Sequence, residues 1–324
     1  MESSMSAELE EVISQYTWHG QPSIIPGLSG MNNTTIMLED ERERSIVRIY
    51  NNHSDQSKLK FEHRMLLVLQ QQPLSILIPI PQLNNMGSTI STIHNGKLAA
   101  RYCYIEGERP ELTNVKQLIS LAEASAKLSI AFSKVSLSEE PAYSPYYELT
   151  KNYVALDEKL MLQLLGHNAI AELEEQLLLI RDEYNRLEAL EHQFSQLPHQ
   201  WIHGDINCSN SLAIEDKVVA ILDFEFVTRD LRVMELAVLL SELIKPYTTE
   251  LTDKLLAMRE AYESIVALTP DEITLLPELI KLRSVDVVMH FIERYIQGLD
   301  PIDILARMIK HSAFVITYVN DQMK

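Results

Sequence analysis

The stretch WIHGDINCSN at residues 201–210, taken with VVAILDFEF at 218–226, decides how this 324-residue chain is interpreted. A polar cluster of His, Gly, Asp and two Asn lies between apolar segments, and a second acid, Asp223, ends an apolar run. The cluster is either a polar turn that happens to be buried or the place where chemistry occurs.

The sequence between the two motifs, SLAI–ED–KVVAIL, predicts a β-hairpin. Because a hairpin returns its ends to one neighbourhood, we expect Asn210, before its first strand, to lie close to Asp223, after its second. Hard Mg²⁺ takes one or two protein oxygens and completes its octahedron with phosphates and waters. Asp205 is left as a base or positioning group for a nucleophilic hydroxyl, and this set of groups fits phosphoryl transfer.

The motif His-Gly-Asp-x4-Asn at 203–210, followed by Leu-Asp-Phe-Glu at 222–225, resembles the superfamily of aminoglycoside phosphotransferases, choline kinases and type II homoserine kinases. The resemblance implies a protein-kinase-like α+β fold with two lobes. It also implies a small-molecule kinase that uses ATP or GTP with Mg²⁺ and transfers the γ-phosphoryl group to a hydroxyl.

Roles for single residues follow from this resemblance. Asp205 would be the catalytic base, Asn210 and Asp223 would bind Mg²⁺, and His203 would support the loop. Glu235 stands where the family usually has the Asp of an Asp-Leu-Ala segment. An acid at a helix start can accept backbone N–H groups, so we expect Glu235 to brace the catalytic loop.

The patterns along the chain predict a strand-rich N-lobe at 1–106 and a mostly helical C-lobe at 107–324. We expect the N-lobe to contain a helix over 1–17, two hairpins, a helix before residue 70 and a short apolar strand in LSILIPIP. In the C-lobe we expect one continuous helix over 169–196.

A kinase N-lobe needs a phosphate-covering loop and a cationic strand residue oriented by a helix acid. Ser29 and Gly30, in GLSGMNNTTI, are the loop candidates. Arg48, in the strand SIVRIY, stands where the family usually has Lys, and Glu62 on the next helix is its expected partner. The alternative is a surface ion pair of little consequence.

The strand LAARYCYI leads into the expected hinge between the lobes. By resemblance, backbone groups of Cys103, Tyr104 and Ile105 would meet the adenine edge. Gly107 would mark the exit to the C-lobe.

The acceptor is predicted less sharply than the chemistry. Arg283 and Asp286 lie on a helix whose charged residues recur every three or four positions, which indicates either a solvated face or an acceptor pocket. Arg283 would bind a carboxylate or Asp286 an amine, and Glu225 is a further acceptor candidate. We expect an amino alcohol such as homoserine or a choline-like compound.

Composition narrows the partners. The net charge of −18 argues against nucleic acid and anionic membranes as partners. The resemblance implies a nucleotide and a small-molecule acceptor as ligands. Cys103 and Cys208 are too few for a disulfide framework and indicate reduced thiols. The sequence shows neither a signal peptide nor an apolar run long enough to span a bilayer, so we expect a cytoplasmic protein.

Two alternatives stay open. A catalytically weak kinase-fold protein could serve as a binding or structural module, like some spore-coat relatives, and Arg48 and Glu235 are the departures that support it. The acceptor could also be an aminoglycoside.

Overall fold

The computed structural model describes residues 2–25, 33–51 and 56–323. Ser29 and Gly30 of the predicted phosphate loop lie outside the described residues. The strands are β1 (Ser23–Ile25), β2 (Asn33–Glu39), β3 (Arg44–Tyr50), β4 (Ser91–Thr92), β5 (Leu98–Cys103), β6 (His199–Ile202), β7 (Ser211–Ile214), β8 (Lys217–Ile221) and β9 (Thr228–Leu231). The helices are α1 (Glu2–Ser14), α2 (Gln56–Leu69), α3 (Val115–Phe132), α4 (Leu149–Asn152), α5 (Glu158–Leu165), α6 (Asn168–Ala171), α7 (Glu174–Glu188), α8 (Glu191–Phe194), α9 (Met234–Leu243), α10 (Leu251–Glu263), α11 (Pro270–Ile296) and α12 (Ile302–Gln322).

The N-terminal sheet is antiparallel, with strand order β1-β2-β3-β5-β4. Its first hairpin turns at Asp40, whose carboxylate accepts hydrogen bonds from the backbone N–H groups of Arg42 and Glu43, both at 2.9 Å. The second hairpin turns through Gly96, whose φ of +81° favours glycine. Both predicted hairpins are therefore confirmed.

Strand β3 separates two layers, because its side chains alternate between the faces of the sheet. Val47 and Ile49 are fully buried against α1. Ile46, Arg48 and Tyr50 lie on the opposite face, toward α2 and the rest of the molecule. This alternation places the Arg48 side chain on the face where the site lies.

The C-terminal part is built from helices around the β7–β8 hairpin. Helix α3 begins at Asn114, whose side chain accepts hydrogen bonds from the backbone N–H groups of Lys116 and Gln117. Helix α11 begins with a capping box between Thr269 and Glu272. These caps fix the start of two helices that pack against the hairpin or carry site residues.

Three details differ from the sequence prediction. The segment LSILIPIP forms isolated bridges and no strand: Leu77 exchanges two hydrogen bonds with β8 (2.8 and 3.1 Å) and Pro81 bridges Tyr102 of β5. Pro79 and Pro81 lack the N–H donors that a continuous ladder needs. The predicted helix over 169–196 is broken into α6, α7 and α8. The antiparallel pair β6–β9 was not predicted.

None of the helices in the described ranges is long and apolar enough to cross a membrane.

Candidate active site

The β7–β8 hairpin brings the two sequence motifs together. Ser211 pairs with Ile221 across the hairpin, and the N–H of Leu222 donates to the carbonyl of Asn210 at 2.8 Å. Asp223 follows in the left-handed region, with φ of +65°. Asn210 and Asp223 therefore lie at the same end of the hairpin.

Asp205 is held by its own loop. The Asn210 amide donates to Asp205 Oδ2 at 2.7 Å and to the Asp205 carbonyl at 3.0 Å. Asn207 caps the turn, because its side-chain oxygen accepts the N–H of Asn210 at 3.0 Å. These bonds place one carboxylate oxygen of Asp205 against the Asn210 amide.

Glu235, at the start of α9, binds the backbone of the loop that carries Asp205. Its carboxylate accepts the N–H of His203 at 2.7 Å and that of Gly204 at 3.2 Å. His203 is fully buried, and its Nε2 contacts the Leu222 carbonyl at 2.9 Å. Gly204 has φ of +79°, and a Cβ there would lie 3.2 Å from the Phe226 carbonyl. Buried hydrogen bonds of Glu235 and His203 thus join the loop at 203–204 to α9 and to Leu222.

Arg283, on α11, contacts Asp205 directly. Its Nη2 lies 2.7 Å from Asp205 Oδ1, while its Nη1 donates to Asp286 at 3.1 Å and to the Tyr146 hydroxyl at 3.2 Å. Asp286 also accepts the Tyr153 hydroxyl at 2.5 Å. Asp205 therefore lies between an amide and a guanidinium, and Asp286 holds the guanidinium.

Tyr146 and Tyr153 are site residues that the sequence reasoning missed. The Tyr146 hydroxyl donates to the Gly204 carbonyl at 2.6 Å, which ties Arg283 to the loop at 203–210. A signal was present, since four tyrosines fall within residues 143–153, after the first C-lobe helix. Clustered tyrosines are not typical of any one chemistry, so this signal does not predict a site.

Several carboxyl groups at the site have raised pKa values. Burial raises the pKa of Asp205 to about 6, while Arg283 lowers it and Asp223 raises it. Burial, followed by the charge of Asp223, raises the pKa of Glu225 to about 7. Crowded acids in partial burial are typical of catalytic sites and favour a bound cation.

The structure gives Arg48 a different partner from the predicted one. Arg48 Nη1 lies 3.1 Å from Asp223 Oδ1, and both side chains are partly buried. Within the described ranges, no hydrogen bond or ion pair joins Arg48 to Glu62. Burial raises the pKa of Glu62 to about 8, although the nearby Arg48 lowers it. The prediction of an Arg48–Glu62 ion pair is therefore wrong in this structure, because Arg48 points to the hairpin end.

The oxygens of Asn210 and Asp223 suit a hard cation. Asn210 donates its amide nitrogen to Asp205, and no donor among the described residues binds its side-chain oxygen. Asp223 shares one carboxylate oxygen with Arg48. No group of three or more His, Cys, Asp or Glu side chains in the described part of the chain has metal-binding geometry. One carboxylate and one amide fit Mg²⁺ that is also bound by phosphates and water.

The expected hinge is only partly free for a ligand. The N–H of Cys103 donates to the Ile80 carbonyl at 3.2 Å, and that of Tyr104 to the Arg44 carbonyl at 3.3 Å. In the part of the chain described, the N–H of Ile105 has no partner. Of the three N–H groups, only that of Ile105 is open to a base edge.

The chain matches the phosphotransferase enzyme family over residues 23–271. A homoserine kinase of Parvibaculum lavamentivorans is 23% identical and covers 94% of this chain and 93% of its own length. A homoserine kinase of Sinorhizobium fredii is 24% identical over 88% of this chain and 86% of its own length.

Solved structures share the fold at lower identity. A microcompartment-associated aminopropanol kinase superposes with a TM-score of 0.69 at 13% identity, covering 98% of this chain and 97% of its own. Amicoumacin kinase hAmiN, in complex with AMP-PNP, Ca²⁺ and Ami, gives a TM-score of 0.68 at 17% identity, covering 97% and 96%. The predicted α+β, protein-kinase-like fold is confirmed. The chain belongs to the phosphotransferase enzyme family and is a small-molecule kinase that acts on hydroxyl groups.

Proposed function

We propose that this kinase transfers the γ-phosphoryl group of ATP or GTP to the hydroxyl of a small amino alcohol, with homoserine as the favoured acceptor. The observation that carries this proposal is the placement of Asp205 between the Asn210 amide and the Arg283 guanidinium. Homoserine kinases among the relatives support the choice of acceptor.

In the proposed reaction Asp205 accepts the proton of the acceptor hydroxyl. The hydroxyl oxygen forms a bond to the γ-phosphorus, the bond from that phosphorus to the β–γ bridging oxygen breaks, and the nucleoside diphosphate leaves. Since the pKa of Asp205 is raised to about 6, the carboxylate is largely ionised at neutral pH yet basic enough to take a proton.

Asn210 and Asp223 would hold Mg²⁺, which when bound neutralises charge on the phosphates. Arg48 would face the phosphates from β3, with Glu62 as a nearby buried acid. Its guanidinium can bind phosphate oxygens as a planar fork. Ser29 and Gly30 remain the proposed phosphate cover.

We further propose lobes at 1–106 and 107–324, with adenine against the backbone of 103–105. The open N–H of Ile105 supports this placement. The N–H groups of Cys103 and Tyr104 are engaged, so their carbonyl groups are the remaining candidates.

For the acceptor, we assign the carboxylate to Arg283 and the amine to Glu225. In the described ranges, the Nε of Arg283 has no hydrogen-bond partner and can take a carboxylate oxygen. Asp286 is occupied by Arg283 and Tyr153, so it serves Arg283 rather than an amine. Glu225 lies near Asp205 and Asp223, and its pKa is raised to about 7. A bound ammonium group would favour the ionised form of this carboxyl group.

Nucleotide binding is tested by thermal shift with ATP or GTP in the presence and absence of Mg²⁺. A hundredfold excess over the dissociation constant should stabilise the wild type by ~2.7 kcal/mol. Asp223→Ala should lose the Mg²⁺-dependent part. If neither nucleotide raises the midpoint of the wild type, the kinase proposal loses its basis.

The acceptor is tested by a phosphorylation screen over homoserine, choline, ethanolamine, 1-amino-2-propanol and kanamycin. We expect homoserine to give the highest kcat/KM. A preference for kanamycin would favour the aminoglycoside alternative, which the surplus of acids around Asp205 also supports. Nucleotide binding without any product would favour the binding-module alternative, which the Arg48–Asp223 ion pair supports.

A further inference from the structure

Arg109 occupies a position fixed by the crossing of two segments. Glu108 and Ala213 of β7 exchange backbone hydrogen bonds at 2.9 and 2.7 Å. Gly107, with φ of +145°, allows this approach, since a Cβ there would lie 3.0 Å from the Cβ of Leu212. The chain leaving the hinge therefore runs against β7, and Arg109 follows immediately.

The Arg109 side chain reaches toward the proposed metal residues. Its Nη1 donates to the carbonyl of Ser211, the residue after Asn210, at 3.2 Å. Burial lowers the pKa of Arg109, Asp223 raises it and Arg48 lowers it, so its guanidinium is within electrostatic range of both side chains. Arg109 thus lies beside the site and not on a remote surface.

The cations of the site differ in how they are paired. Arg48 is paired with Asp223, and Arg283 with Asp205 and Asp286. Arg109 has no carboxylate within ion-pair distance among the residues that the structure describes. The predicted phosphate loop, GLSGMNNTTI, contains neither Lys nor Arg. An anionic ligand at this end of the hairpin would therefore find in Arg109 a cation without a carboxylate partner among the described residues.

We propose that Arg109 binds the polyphosphate chain of the nucleotide, as a second phosphate-binding cation beside Arg48. This inference rests on the proposed nucleotide-dependent function. A guanidinium suits this role, because its planar fork matches phosphate oxygens and its bonds to them are charge-assisted. Within residues 2–25, 33–51 and 56–323, the bond to Ser211 is the one side-chain hydrogen bond of Arg109, so its other N–H groups can bind the ligand.

The test compares Arg109→Met with Arg307→Met, a matched change on the exposed face of α12. Calorimetric titrations with Mg²⁺ present use ATP, ADP and adenosine as probes. Arg109→Met should weaken ATP binding about 10- to 100-fold and ADP binding less, with adenosine unchanged. Arg109→Lys should recover part of the loss, since it keeps the charge without the fork. Arg307→Met should bind all three probes like the wild type.

Equal losses for adenosine and ATP would overturn the proposal and place Arg109 against the ribose or base. Unchanged ATP affinity would overturn it as well. A wild type that binds no nucleotide would instead contradict the proposed function, so the two failures are distinguishable. In steady-state assays, Arg109→Met should raise KM for ATP with kcat within about threefold, as expected for loss of uniform binding. A fall in kcat alone would contradict the proposed role.

Discussion

Arg283 Nη2 lies 2.7 Å from Asp205 Oδ1, and this ion pair joins α11 to the loop at 203–210 across 78 positions of sequence. Both side chains are about four-fifths buried. Asp286, three residues further along α11, lies on the same helix face and holds the other side of the guanidinium. The charge and orientation of the carboxylate proposed as the base thus depend on α11, the helix that we propose contacts the acceptor.

Removing the cation should make Asp205 a weaker catalyst at low pH. Burial raises the pKa of Asp205 to about 6 and Arg283 opposes that rise, so Arg283→Met should raise the pKa further. Because the base acts when ionised, the acid limb of kcat/KM should move to higher pH. We expect kcat/KM at pH 7.5 to fall on the order of 10²-fold through loss of charge and position. Arg283→Lys should restore part of the lost kcat/KM. An acid limb at the same pH in Arg283→Met and the wild type would contradict the effect of Arg283 on the pKa of Asp205.

Neutralising Asp286 should move the acid limb of the kcat/KM profile to lower pH. In Asp286→Asn the guanidinium of Arg283 has one carboxylate partner left, Asp205, whose ionised form is then better stabilised. The acid limb of kcat/KM should therefore move below about pH 6. Parallel pH profiles of Asp286→Asn and Arg283→Met check both predictions, and shifts in the same direction would exclude the proposed coupling.

Glu62 should make stability depend on pH. Its folded-state pKa is raised from 4.5 to about 8, so the unfolded chain releases this proton first as pH rises. The stabilisation is complete below pH 4.5 and is lost as pH rises toward about 8, by at most ~1.4 kcal/mol per pH unit. The Glu62→Gln variant has no such loss. The unfolding free energy of Glu62→Gln minus that of the wild type should therefore increase from pH 5 to 8 and then stay constant.

Denaturant unfolding at several pH values measures this difference for Glu62→Gln. Glu260→Gln, a matched change at an exposed position of α10, should track the wild type throughout. A constant difference between Glu62→Gln and the wild type across this range would show that Glu62 is ionised in the folded protein.

Gly204→Ala should disrupt the catalytic loop through both strain and crowding. The residue has φ of +79°, and the new Cβ would lie 3.2 Å from the Phe226 carbonyl and 3.5 Å from the Tyr146 hydroxyl. Gly298→Ala is the matched control, since it has φ of +72° with no atom within 4 Å. Both should lose about 1–2 kcal/mol to backbone strain, but only Gly204→Ala should lose activity, by more than about tenfold. Equal activities of Gly204→Ala and Gly298→Ala would contradict the predicted clash of the new Cβ with the Phe226 carbonyl.

The sequence predicted the contacts that depend on the geometry of a single hairpin or a single helix. A two-residue turn was enough to place Asn210 beside Asp223, and charged residues at helical spacing singled out the face of α11 that holds Arg283. The Asp205–Arg283 contact was not predictable, because no local pattern relates side chains on separate elements. Arg48 shows the same limit, since its partner Asp223 lies 175 positions away and Glu62 was assigned by resemblance.

The helix prediction over 169–196 failed for a different reason. Ile170, Leu173 and Leu177 are buried and keep helical spacing across the break between α6 and α7. Apolar periodicity therefore could not locate that break.

Phosphoryl transfer from ATP to homoserine, measured in wild type and Asp205→Asn with Mg²⁺, tests most directly whether Asp205 is the catalytic base. We expect the wild type to form one phosphorylated homoserine per ADP. Asp205→Asn should lower kcat about 10²- to 10⁴-fold while ATP affinity stays within about threefold, in line with loss of a general base. Retention of more than about a tenth of wild-type kcat by Asp205→Asn, a loss far below that expected for a general base, would contradict its proposed role.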